Sequence, residues 1–307
     1  MNNIYHIPVL LQESIDGLNI LPNGVYVDAT FGGGGHTKEI LNNLNSSGKV
    51  IAFDQDVDAL ENQIDDNRLK LIKSNFKYLS NHLKFLKINK IDGLLADFGV
   101  SSYQIDTQIR GFSIRFDSDL DMRMNKDQKK DAKQILNKYS SDDLNYIFKN
   151  FGELKNYKKV TQIIISQRSK QKIVTTGDLI KILKPISPSN NNNKFLAKIF
   201  QAIRIEVNDE LSVIKKLLKD SSQYLNKGGR LVCISYHSLE DRLVKRYIQN
   251  GSFNQQVESD IYGNIKTSFK KIGKIVTPSE DELNKNKRSR SAKLRIAEKI
   301  WKIFYRL

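Results

Sequence analysis

The chain is poor in sulfur and short of acid. Cys233 is its single cysteine in 307 residues. No disulfide framework and no cysteine-rich zinc site is therefore expected, and a reducing, cytoplasmic setting is the simplest fit. No apolar run approaches the roughly 18 residues that a membrane helix needs. The first residues, MNNIYHIPVLLQES, lack a basic start and a small-residue cleavage site, so they do not read as a signal peptide. No internal repeat is present.

What is present is positive charge and enough apolar residue for a core. The 39% hydrophobic and 9% aromatic content supports a globular protein. Fifty Lys and Arg against 34 Asp and Glu leave a net charge of +16, which draws a protein toward polyanions such as nucleic acid or an anionic membrane surface. An AT-rich genome also produces abundant Lys, Asn and Ile. It does not account as easily for the stretch Lys285 to Arg306, where nine Lys or Arg stand against one acid, Glu298.

Strands and helices alternate in the first third. Val25 to Asp28, Lys49 to Asp54, Arg68 to Ile72 and Ile91 to Asp97 read as buried strands. His36 to Leu44, Asp56 to Ile64 and Phe76 to Leu86 read as the helices between them. This order implies βαβ units and a parallel sheet. The alternation then stops. From about Asp106 to Asn193 the pattern is helical, with Ser140 as the expected cap of a helix over 142–151 and a loop at Pro185, Pro188 and the Asn190 to Asn193 run. Phe200, Ile203, Val207, Leu211, Ile214 and Leu218 share one helical stripe and predict one long helix that stops at Lys227-Gly-Gly229. Arg230 to Tyr236 is a fifth strand, and Ser238, with Asp241 three residues on, is expected to cap the helix that follows. Segments around 269–276 and 292–299 can extend the sheet at one edge. The fold class expected is α/β, Rossmann-like, with an inserted all-helical domain: 1–105 and 200–307 form the sheet domain and 106–199 the insert.

Four glycines, Gly32 to Gly35, lie between the first strand and its helix, where an open α/β sheet binds its ligand. The spacing fails the P-loop pattern GxxxxGK[ST]. It also fails GxGxxG, because Thr37 or Lys38 stands at the third glycine. The pattern that fits is acid-x-x-x-Gly-x-Gly, with Asp28, Gly32 and Gly34. It resembles the first motif of methyltransferases that use S-adenosylmethionine, a nucleoside joined to an amino acid with no pyrophosphate.

Asp54 ends the second strand, where a carboxylate can accept two hydrogen bonds from a ribose diol; NAD enzymes share this feature, and a helix cap is the plainer role. Asp97 ends the fourth strand. A carboxylate hydrogen-bonded to the exocyclic amine of a base restores electron density to a poor nucleophile and helps remove its proton. The plainer role is a loop cap. Asp97-Phe98-Gly99 also matches a kinase DFG, but HRDxxxxN and the VAIK lysine are missing from the sequence. His237 ends the fifth strand and can orient the base, contact phosphate or simply support structure. His36 can touch ligand or cap its helix.

Several blocks together resemble one family. HIPVLLQE, DATFGGGGHT, AFDQD, LLADFGVSS, RGFSIR with LDMRM, FQAIRIEVNDEL, SYHSLEDR and RSRSAKLRIAE resemble, in order and nearly end to end, the bacterial 16S rRNA cytosine-N4 methyltransferases, which modify a decoding-centre cytidine of the small ribosomal subunit. The resemblance implies an α/β methyltransferase domain with a helical insert. It implies S-adenosylmethionine contacts from Gly34, Gly35 and His36, ribose contact from Asp54, and further contacts from Phe76, Asp97 and Gln104. Asp97 and His237 are the expected catalytic residues. The insert and the basic C-terminal segment are expected to hold RNA, with Arg110, Arg288 and Arg290 as contacts, and no metal is implied. The family's usual proline before the glutamine is Tyr103 here, a residue that can stack on a base. The rival readings are a DNA amino methyltransferase, an RNA-binding assembly factor without chemistry and, more distantly, a dehydrogenase.

Overall fold

A computed structural model describes residues 8–254 and 265–305. His6 and Ile7 of the HIPVLLQE block, and Arg306 of the basic stretch, lie outside the described residues. The chain packs as two compact units, Met1–Gly99 with Leu211–Leu307, and Val100–Glu210.

The first unit is built on seven strands: β1 (Val25–Asp28), β2 (Lys49–Asp54), β3 (Leu69–Lys73), β4 (Ile91–Asp97), β5 (Leu225–Ser235), β6 (Ile265–Val276) and β7 (Lys293–Tyr305). Their order is β3-β2-β1-β4-β5-β7-β6. The first five are parallel, while β7 runs antiparallel to β5 and β6 antiparallel to β7. The run of strands reverses direction across the sheet between β1 and β4, which opens a crevice at their carboxyl ends.

Side chains alternate across the sheet. Val27, Phe53, Leu94, Ala96, Leu231 and Cys233 share one core with Leu79, Leu83, Ile214, Leu218 and Val244. Tyr26, Val50, Leu95, Val232 and Ile234 share the other with Leu18, Ile40 and Leu41. One face is thus covered by α1 (Leu11–Leu18) and α2 (Gly35–Asn42), and the opposite one by α3 (Leu79–Phe85) and two later helices. The lone cysteine is buried in β5, and burial pushes its thiol pKa up. It is therefore not a reactive thiolate.

The second unit is helical: α4 (Ser102–Asp106), α5 (Ala132–Lys138), α6 (Ser141–Asn150), α7 (Tyr157–Arg168), α8 (Thr176–Leu183) and α9 (Asn192–Asn208). Its core gathers Leu120, Leu136, Phe148, Ile164, Leu179, Ile199 and Ile203. Ser140 caps α6 in a reciprocal box with Asp143, the pattern expected from the sequence.

Four expectations change. The single long helix is two, α9 and α10 (Glu210–Tyr224), separated by Asp209 at φ 53°. Phe200, Ile203 and Val207 enter the helical core, whereas Ile214 and Leu218 enter the sheet core. Helical spacing continues across the break because each half faces its own core. The helix begins inside the Asn run, at Asn192, so α9 lies wholly in the second unit and the change of unit comes at Glu210/Leu211 rather than near residue 200. Lys227-Gly-Gly229 lies within β5 at a register shift, with Ile91 paired to Leu225 and Gly93 to Arg230. Between β2 and β3 the connection is a 3-10 turn over Val57–Asn62, with no buried residue to support a full helix. The last α-helices are α11 (Ser238–Asn250) and α12 (Glu280–Lys285).

Candidate active site

Asp28, Asp54, Asp97 and Ser235 end four consecutive parallel strands of the sheet. Asp28 is fully buried. It accepts from the Thr30 N–H at 3.0 Å and from the Thr37 hydroxyl at 2.7 Å, so it clamps the glycine turn to the first turn of α2. Burial pushes its carboxyl up, and the nearby His36 opposes that. The His36 ring is itself buried, which lowers its proton affinity, and Nε2 lies 3.2 Å from the Val9 carbonyl oxygen. The imidazole is thus a strut between α2 and the N-terminal segment.

The glycines have separate reasons. Gly32 and Gly34 take φ of 52° and 76°, a region that side chains avoid. Gly35 has an ordinary φ, but a Cβ there meets Pro8 Cγ at 2.1 Å. Its bareness is required by the N-terminal segment, with no ligand invoked.

At the end of β2, Asp54 Oδ2 accepts from the Gly32 N–H and Oδ1 from the Asp56 N–H, both at 2.8 Å. The cap of the following 3-10 turn is Asp56, not Asp54. A carboxylate offers about four lone-pair sites, so Asp54 keeps an acceptor on each oxygen for a vicinal diol. Burial raises its pKa to about 6 against the pull of those two N–H groups. Beyond β3, Asn75 Nδ2 donates to Gln55 Oε1 at 2.7 Å and Asn75 Oδ1 accepts from the Lys77 N–H. Phe76 lies 6.2 Å from Phe98, ring to ring. Asp54 thus offers an acceptor pair for a ribose and Phe76 with Phe98 an apolar aromatic pair, groups that together fit a nucleoside.

At the end of β4, the Asp97 N–H donates to Thr30 Oγ1 at 2.7 Å, which ties β4 to β1 across the switch point. Asp97 Oδ1 is buried and has no hydrogen-bond partner among the described residues. Burial raises this carboxyl to about 8, and Asp28, Glu240 and Glu282 push the same way, while a hydrogen bond from the Tyr236 hydroxyl opposes them. The Tyr236 hydroxyl is held protonated by burial and by Asp97. Gly99, at φ 103°, passes close under the tyrosine ring: a Cβ there would be 3.3 Å from Tyr236 Cδ2.

His237 is a cap. Its Nδ1 accepts from the Glu240 N–H at 3.4 Å, and Nε2 lies 3.2 Å from Glu240 Oε1. Glu240 Oε2 in turn accepts from the Tyr236 N–H at 2.8 Å. The expected cap of Ser238 with Asp241 is therefore replaced by His237 with Glu240, and Asp241 holds Arg295 through two bonds of 2.7 and 3.1 Å. With both ring nitrogens turned toward Glu240, His237 caps α11 at the carboxyl end of β5.

Of the remaining expected contacts, three belong to the helical unit and two to the sheet unit. Gln104 belongs to the helical unit and is buried; its Oε1 accepts from the Ser101 N–H in a capping box. Arg110, in the same unit, is only 3% exposed and donates to the carbonyls of Arg123 and Met124. It fastens a loop through those two carbonyls. Tyr103 is exposed. In the sheet unit, Arg288 is half-buried and Arg290 exposed.

Sequence reasoning missed Tyr236, Glu240, Thr30 and Glu282. The spacing His237-x-x-Glu240 is a capping-box signature that points to the first pair. Glu282 follows Ser279 at the same spacing and its N–H donates to the Ser279 hydroxyl at 3.2 Å, but its Oε1, which accepts from the Leu10 N–H at 2.9 Å, makes a contact that no local pattern signals.

The family model described as "MraW methylase family" matches residues 3–300. A ribosomal RNA small subunit methyltransferase H from Christiangramia forsetii is 53% identical over 96% of this chain and 98% of its own. The protein of the same description from Flavobacterium johnsoniae is 52% identical over 96% and 98%. That from Cytophaga hutchinsonii is 50% identical over 96% and 100%.

Proposed function

The chain belongs to the MraW methylase family, and from that premise we propose that it methylates the N4 amine of a cytidine in 16S rRNA of the small ribosomal subunit, with S-adenosylmethionine as donor. The observation that carries the proposal is Asp97: a carboxyl at the switch point of the sheet, with a proton affinity near neutral and a buried oxygen in want of a donor.

Asp54 holds the ribose diol with its two remaining acceptors, and Phe76 with Phe98 forms the apolar wall for the adenine. When bound, the cofactor supplies a methyl group on a sulfonium, ready for in-line displacement. Asp97 accepts a hydrogen bond from the N4 amine. That bond holds the nitrogen in line and pushes density back toward it. Positioning of this kind is worth roughly 7–11 kcal/mol in favourable systems. The C–N bond would form as the C–S bond of the sulfonium breaks and S-adenosylhomocysteine leaves as a thioether; Asp97 would take the proton that N4 then sheds, proton-transfer help worth about 10²–10⁴-fold. A proton affinity near the working pH suits a group that must first accept and then release a proton. Tyr236 holds the carboxyl in place, and Thr30 fixes its backbone.

The helical unit is the substrate-recognition domain in this reading, with Tyr103 available to stack on an unpaired base and Arg288 and Arg290 near RNA phosphate. Extruding the cytidine costs a few kcal/mol. No helix among the described residues is long and apolar enough to cross a membrane, and a cytoplasmic site of action goes with a ribosomal substrate. The test is methyl transfer to small subunits and to duplex DNA, with mass spectrometry of 16S rRNA from a deletion strain. One lost N4-methylcytidine is the expected result. Transfer to DNA alone overturns the reading, and binding without transfer favours an assembly factor.

A further inference from the structure

The outer edge of the sheet carries a groove remote in sequence from the glycine turn. Lys245 and Gln249 of α11, Lys271, Lys274 and Ile275 of β6 and Arg295 of β7 line it, over a floor that includes Ile248, Ile272 and Ile296. Arg295 is held by Asp241. Lys245, Lys271 and Lys274 are exposed and have no ion-pair partner among the described residues. Lysines on an edge strand also discourage pairing with another sheet. That role accounts for Lys271 and Lys274 but not for Lys245, which projects from a helix into the same groove.

The strand register places the groove with respect to Asp97. Asp97 pairs with Ile234, Ser235 with Lys293, and Val276 with Leu294. The end of β6 and the start of β7 therefore lie on the same edge of the sheet as the carboxyl ends of β4 and β5. Three strand spacings of about 4.8 Å separate β6 from β4, and Lys271 is level with Ala297, Leu231 and Leu94, three residues of about 3.4 Å back from Asp97, so the groove lies roughly 17 Å away. At about 3.4 Å per stacked residue, that is a span of about five nucleotides.

We propose that this groove is a phosphate track: Lys245, Lys271 and Lys274 hold the RNA backbone a few nucleotides from the cytidine being modified. The inference rests on the methyl-transfer reading for its substrate but not for its contacts. Phosphate contacts position a strand and carry no sequence information, so the track sets affinity and register while base choice stays at the site. Compact mobile ammonium groups suit that task, since each meets a phosphate as a point charge.

The triple variant Lys245→Gln/Lys271→Gln/Lys274→Gln tests it, compared with the unaltered protein for binding to a single-stranded 16S rRNA fragment across a salt series. The expected result is a Kd about tenfold or more weaker near 0.15 M salt and a log–log salt slope shallower by about 2, three contacts at about 0.7 each. Binding of S-adenosylmethionine and the rate at saturating RNA are expected to be unchanged. Equal Kd and slope, in a variant that still binds the cofactor, overturn the track. Loss of affinity for assembled subunits with full affinity for the naked fragment also overturns it, because the groove then meets a protein. If the unaltered protein binds RNA but methylates none, and the variant loses the binding, the track stands and the methyl-transfer reading falls.

Discussion

The strands on either side of β1 both end in aspartate, and the two carboxyls sit in different surroundings. At the end of β2, each oxygen of Asp54 already receives a backbone N–H, from Gly32 and Asp56, and its pKa is raised only to about 6. At the end of β4, Asp97 faces Asp28, Glu240 and Glu282 with one opposing hydrogen bond, from Tyr236, and is raised to about 8. Burial is the largest cause in both. Asp56 and Asp28 push Asp54 upward as well, but two backbone donors stabilise its charge, whereas Asp97 has three acids against a single hydroxyl donor. A group kept anionic suits steady ligand binding, and a group poised near neutrality suits proton transfer.

The largest expected effect separates the two roles outright. Asp97→Asn is expected to lower kcat by about 10²–10⁴-fold with little change in cofactor affinity, measured by methyl-transfer kinetics beside calorimetric binding. Asp54→Ala is expected to do the reverse: a Kd for S-adenosylmethionine weaker by about 10–100-fold, from the loss of charged hydrogen bonds of about 1.5–3 kcal/mol, with most of kcat kept at saturation. An Asp97→Asn enzyme with full kcat breaks the comparison.

Tyr236→Phe sharpens it. The hydroxyl lowers the Asp97 pKa, so its removal moves the acid limb of the kcat–pH profile upward by up to about one unit, the worth of a hydrogen bond of about 1 kcal/mol. Activity near pH 7 is expected to fall up to about tenfold and to recover by about pH 9. A uniform loss at every pH assigns Tyr236 to packing alone.

Stability supplies a further measurement. The folded value for Asp97 lies above the ordinary 3.8, so the folded protein holds this proton more tightly than the unfolded chain does. The stabilising contribution is full below about pH 4 and is lost as the pH rises through about 8. Asp97→Asn, neutral throughout, is expected to gain Tm relative to the unaltered protein as pH rises from 5 to 8, although it loses activity. His237→Ala gives the smallest effect. Loss of the cap is expected to cost about 0.5–2 kcal/mol, read in thermal unfolding, with kcat changed far less than by Asp97→Asn and rescue by His237→Asn.

The strands and their terminal acids were legible in the sequence because short apolar runs such as KVIAFD and IDGLLAD carry their own burial pattern and end where polarity begins. The cap of α6 was legible because Ser140 and Asp143 are three residues apart. The break at Asp209 was not, since Phe200 to Leu218 keeps helical spacing on both sides of it. The reason for Gly35 was not, since it depends on Pro8, twenty-seven residues earlier. Arg110 reads as an RNA contact in a basic chain, and only the fold shows its guanidinium turned onto the carbonyls of Arg123 and Met124.

By itself the sequence determined the parallel sheet, the helical insert, the glycine turn and the two strand-ending acids, because each is written in local spacing and composition. The tertiary structure alone decided how those acids differ. A carboxyl's proton affinity depends on its burial and on charges brought from distant parts of the chain. For Asp97 these are Asp28, Glu240 and Glu282, with Tyr236 as the opposing donor, and no local pattern in the sequence places them beside it.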